Sequence, residues 1–80
     1  MTYRVSYAPP ADDTLAKMAR TETFKTAMEQ TLGVDPYGHG STAIGKDADR
    51  REATIRGVFV RYYVSGSVLT VTVVRLIPAP

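Results

Sequence analysis

Residues 2–7, Thr-Tyr-Arg-Val-Ser-Tyr, alternate strictly, with Tyr3, Val5 and Tyr7 on one side and Thr2, Arg4 and Ser6 on the other. A period of two is that of a strand with one buried face. The period then lengthens. Over residues 8–19 Leu15, Met18 and Ala19 fall on one helical stripe. Pro9 and Pro10 suit a first turn whose N–H groups lack intrahelical partners, and Asp12 and Asp13 favour its positive end. A second helix over residues 22–32 carries Phe24, Ala27, Met28, Thr31 and Leu32 at helical spacing, with Thr21 expected as its N-cap and Gly33 as a left-handed terminator. The join around Arg20 is short, so the two helices form a hairpin with both stripes facing one sheet.

The second half returns to a period of two. Residues 33–41 (GVDPYGHGS) read as loop, residues 42–45 as a weak strand, and residues 46–51 as a polar turn. Strands are predicted over residues 52–56 and 58–64, joined tightly around Gly57, and again over residues 68–77 after the turn Ser65-Gly66-Ser67. The last of these is rich in β-branched residues and the strongest of the set. The order is β-α-α-β-β-β-β: an α+β chain, one domain over residues 1–80, with the helical hairpin on one face of a mostly antiparallel sheet. The other face looks toward solvent or a partner.

Composition narrows the chemistry. Eighty residues leave room for one core, and 44% hydrophobic with 22% charged residues excludes a disordered chain. The absence of cysteine excludes disulfides, thiolate catalysis and zinc-cysteine sites. The first ten residues lack a signal-peptide core, and no apolar run approaches the ~20 residues of a membrane span, so the expected location is the cytoplasm. Charge is uneven. Residues 1–49 hold five Lys or Arg against seven acids; residues 50–80 hold Arg50, Arg51, Arg56, Arg61 and Arg75 against Glu52 alone. Arginine suits forked contacts with phosphate, although a solvated basic sheet edge gives the same asymmetry.

His39, the single histidine, stands between glycines with no second metal-ligand spacing, and its plain reading is a solvated loop residue. The string GHGSTAIGK fails as a phosphate loop, because Gly45-Lys46 is followed by Asp47 and no helix comes after. No metal, cofactor or small-molecule ligand is expected. That leaves Arg56–Val64, RGVFVRYYV. Alternation puts Val58, Val60, Tyr62 and Val64 under the helices and Phe59, Arg61 and Tyr63 on the uncovered face, with Thr54 and Arg56 nearby. An arginine between two rings suits RNA, with guanidinium on phosphate and rings on splayed bases, or it merely solvates an exposed sheet.

The opening strand YRVSYAP, the helical hairpin, the DPYGHG loop, a glycine followed by VRYYV, and the strand VLTVTVV together resemble the RelE/ParE superfamily of toxins from type II toxin–antitoxin systems. The resemblance implies a cognate antitoxin as partner. It implies one of two activities: ribosome-dependent messenger RNA cleavage, as in RelE-like members, or inhibition of DNA gyrase, as in ParE-like members. For an endoribonuclease it implies Arg61 and Arg56 at the scissile phosphate, Lys46, Arg50 and Arg51 along the flanking backbone, and Phe59 or Tyr63 stacked on a base. The common arginine position of the ribonucleases is Phe59 here, with Arg61 displaced by about 6.6 Å along the same face. The usual basic positions of the preceding strand are Glu52 and Thr54. The tail, usually basic and often bearing a tyrosine, reads Leu76-Ile77-Pro78-Ala79-Pro80.

Overall fold

The alternating and helical periods each find their element. The structure, a computed structural model, describes residues 2–78. Along the chain run β1 (Arg4–Tyr7), α1 (Pro9–Ala16), α2 (Thr21–Gln30), β2 (Thr42–Ile44), β3 (Asp47–Ile55), β4 (Val58–Ser65), a 3-10 turn (Gly66–Val68) and β5 (Thr70–Pro78). The strands form one sheet in the order β1-β5-β4-β3-β2; β1 runs parallel to β5 and every other pair is antiparallel. This is the expected α+β order. The helices lie on one face, where Leu15, Phe24, Met28 and Leu32 pack against Val60, Tyr62, Val71 and Val73 from the sheet's centre. Among the described residues no helix is long and apolar enough to cross a membrane. The tail residues Ala79 and Pro80 lie outside those described.

Several local devices differ from expectation. Thr21 is the first residue of α2, and Arg20 takes the cap position. The Thr21 hydroxyl instead donates backward, within reach of the carbonyls of Leu15 (3.0 Å) and Met18 (3.1 Å), so it ties the hairpin together by satisfying the end of α1. Gly33 does not adopt a positive φ. It is required for close approach: a Cβ there would stand 2.5 Å from the Glu29 carbonyl oxygen, while its own carbonyl accepts the Tyr3 N–H.

The polar residues read as a turn over 46–51 are mostly strand. β3 begins at Asp47, and the turn is confined to Gly45 and Lys46. Long polar runs still build strands when one face and one edge meet solvent. At the next hairpin Ile55 pairs with Val58 across a two-residue loop, and both loop residues are left-handed, Arg56 at φ 50 and Gly57 at φ 79. Paired positive φ values match the twist of the flanking strands. The last strand starts two residues later than its hydrophobicity suggests, because Val68 lies in the 3-10 turn and Leu69 turns left-handed at φ 46.

Candidate functional site

The uncovered face is built in rows by strand register. Glu52 on β3 lies opposite Arg61 on β4, and Arg61 lies opposite Arg75 on β5. One row toward the β3–β4 turn stand Thr54, Phe59 and Ile77; Arg50 pairs with Tyr63 on the other side. Arg50, Arg61 and Arg75 are exposed, as is Tyr63 at 40%. Two arginines directly opposite each other repel, so this row concentrates positive charge at a structural cost.

A β-bulge puts Arg75 there. Counting by twos from the buried Val71 and Val73 would send Arg75 into the core and Leu76 out to solvent. The register between β4 and β5 shifts at Arg61/Tyr62, which leaves an additional residue, Val74, on β5. After it Arg75 is exposed and Leu76 is buried. Bulges re-aim side chains in this way.

Arg61 is already engaged. Its Nη2 donates to the Glu52 carboxylate at 3.4 Å, the one ion pair among the described residues, and its guanidinium lies 5.8 Å from the centroid of the Phe59 ring. Phe59 is therefore half-buried with a cation over it, and Tyr63 is the more exposed ring of this face. Lys46 lies exposed in the β2–β3 turn, four positions before Arg50, at the margin of this face.

Two expected contacts lie elsewhere. Arg51 points to the covered side, half-buried; its Nε donates to Ser41 Oγ (3.1 Å), and its terminal nitrogens donate to the Ala48 (3.0 Å) and Ser41 (3.2 Å) carbonyls. Its guanidinium also sits 5.4 Å from the Tyr37 ring centroid. The even spacing of the strand separates Arg50 from Arg51: neighbours on a strand face opposite ways. Arg51 thus fastens the 33–41 loop, helped by the buried Tyr62, whose hydroxyl donates to the Pro36 carbonyl, and by Tyr37, whose hydroxyl donates to Asp49 at 2.8 Å. Arg56 occupies the β3–β4 turn, beyond the Ile55–Val58 rung that is itself three from Arg61, and leans toward α2. There it borders a cleft of about 610 Å³ shared with Met18, Phe24, Val58 and Pro78. The structure does not bring Arg56 to Arg61.

Sequence reasoning passed over Arg75 and Glu52 as members of the site. The signal for Arg75 was present but broken: Val71, Val73 and Leu76 cannot share one face of a regular strand, and that break in parity is the mark of a bulge. Among the described residues no three carboxylate or imidazole groups converge as a metal site.

No family model matches this sequence, and no curated protein is similar to it at the level of sequence. Solved structures are similar in fold. The chain superposes on a protein of the RelBE2 toxin–antitoxin complex of Mycobacterium tuberculosis with a TM-score of 0.80 at 16% identity, covering 99% of this chain and 100% of the other. The intact RelBE complex of Escherichia coli gives 0.74 at 20% identity with 98% of each chain covered. The archaeal RelE–RelB complex from Pyrococcus horikoshii gives 0.70 at 20% identity, with 98% and 96% covered. The fold is RelE-like. At these identities the backbone is shared, and the function rests on this chain's own side chains.

Proposed function

We propose that this chain is the toxin half of a toxin–antitoxin pair, held inactive by a cognate antitoxin, and that it halts translation by cutting messenger RNA on the ribosome. The observation that carries the reading is the row of Arg61 and Arg75, directly opposite on an uncovered face beside an exposed tyrosine ring. In such a cleavage the ribose 2′-hydroxyl loses its proton to water and attacks the adjacent phosphate, the 5′-oxygen leaves with a proton from water to give a 2′,3′-cyclic phosphate, and charge builds on the non-bridging oxygens in between. Two guanidinium groups on facing strands supply the stabilisation that step needs once Arg61 turns from Glu52 toward Arg75. Arg50 and Lys46 extend the positive track along the backbone, and Tyr63 takes a base. Location in the cytoplasm belongs to the same reading.

The rival is a non-catalytic toxin of ParE type directed at DNA gyrase, or a chain that only engages an antitoxin. The exposure of Tyr63 and Ile77 favours it, since half-exposed tyrosine beside arginine is a common protein-binding anchor. A cell-free translation reaction followed by primer extension separates the two. Cuts within codons that require translation and vanish with Arg61→Ala support the nuclease; intact message with undiminished translation removes it and sends the next assay to gyrase supercoiling.

A further inference from the structure

We infer that Glu52 is a built-in counter-ion for the Arg61–Arg75 pair, a positioning residue that sets how tightly and how selectively this face takes a phosphodiester. The inference rests on the RNA reading above. The register leaves Arg61 with two neighbours of opposite sign, Glu52 on β3 and Arg75 on β5. Its guanidinium reaches to β3, laid over Phe59, while Arg75, on the other side, has no ion pair among the described residues. Without Glu52 the directly opposed arginines would repel with no carboxylate paired to either among the described residues.

A single phosphate group is held by both forks only if Arg61 releases Glu52 and turns toward β5. An anion that meets Arg75 alone leaves the pair intact and gains one contact. Glu52 therefore favours a ligand that delivers phosphate between β4 and β5 while a base rests on Tyr63, and it discriminates against stray anions. The exchange is easy because the ion pair is exposed, with 45% of the Arg61 side chain and 34% of the Glu52 side chain open to solvent. Exposed pairs are weak, so the barrier they set is a modest one.

The test titrates the purified chain into a fluorescein-labelled single-stranded RNA of about twelve nucleotides at fixed ionic strength, with circular dichroism confirming that each variant folds. Glu52→Gln tightens binding about fivefold. Glu52→Asp, which keeps the charge, stays within about twofold of the unaltered chain. The decisive readout is coupling: in an Arg61→Ala background the gain from Glu52→Gln disappears. Glu29→Gln, which removes an equal charge from the exposed side of α2, gives no comparable gain. Unchanged or weaker binding by Glu52→Gln overturns the inference, and so does a gain that persists without Arg61, which would reduce it to net charge. If Arg61→Ala and Arg75→Ala bind as well as the unaltered chain, the RNA reading itself falls, a result distinct from either of these.

Discussion

Tyr62 and Arg61 are consecutive on β4, yet one is 1% exposed and the side chain of the other is 45% open to solvent. The whole strand divides in this way. Val58, Val60, Tyr62 and Val64 are buried under the hairpin, while Phe59, Arg61 and Tyr63 form the uncovered face. The covered face is bound by shape and by apolar burial, and the open face is free to carry charge that stability would not select. Arg50 and Arg51 repeat the contrast on β3: the first is exposed and has no ion pair among the described residues, the second has donors spent on Ser41 and Ala48. Charge counts along a chain mix these two kinds of arginine; alternation sorts them.

The largest effect expected from this division is Tyr62→Ala. It removes a fully buried ring and the bond to the Pro36 carbonyl, and urea unfolding is expected to show a loss of ~3–5 kcal/mol. Arg61→Ala, one residue away, leaves stability within about 0.5 kcal/mol and weakens RNA binding with a shallower salt dependence. Next in size is Arg51→Ala, which frees the 33–41 loop at a cost of ~1–3 kcal/mol with RNA affinity unchanged, whereas Arg50→Ala does the reverse. Equal losses of RNA affinity from Arg50→Ala and Arg51→Ala would erase the distinction between the faces.

The element order and the division of β4 were legible because both rest on periodicity, and periodicity reports burial directly. Residues 47–51 were misread because four polar residues around Ala48 give no alternation to detect, although their pairing to β2 and β4 makes them strand. Thr21, expected as the N-cap of α2, is its first residue and serves the end of α1 instead; which of two helix ends it serves depends on how the hairpin closes. Of the site, Phe59, Arg61 and Tyr63 follow from parity alone, whereas Arg50, read within a turn, was expected there only from the resemblance. Arg75 required recognising a bulge, and Glu52 required the register between β3 and β4. Arg56 was assigned by nearness in sequence, and the left-handed turn carries it away.

Alkali acts on the covered side. Burial, then the Glu29 charge, pushes Tyr7 up to about 12; the hydrogen bond to Asp49, then burial, pushes Tyr37 up to about 12; burial raises Tyr62 as well. Between the ordinary tyrosine value near ~10 and ~12 the folded chain thus holds more protons than the unfolded one, so stability falls as pH rises through that window. The urea midpoint is expected to be level up to about pH 9 and to decline above about pH 10, in step with tyrosinate absorbance. A level midpoint through pH ~11 would show that these hydroxyls contribute nothing to holding the loop and β1.

The smallest effect tests whether the open face is the whole of the site. Arg56 stands at φ 50, a conformation that costs a side-chain-bearing residue about 1 kcal/mol and that asparagine before glycine adopts readily. Arg56→Asn is therefore expected to stabilise the chain by ~0.5–1 kcal/mol, read as a higher urea midpoint with an unchanged slope. Because Arg56 leans toward α2, the same substitution should leave RNA affinity within about twofold of the original, the loss of one distant positive charge. A stabilised chain with a tenfold weaker hold on RNA, about 1.4 kcal/mol, would mean that the bound strand bends around the end of β3 and β4 to reach the turn. The interface would then span the open face and the hairpin tip, and the strain at Arg56 would have a function.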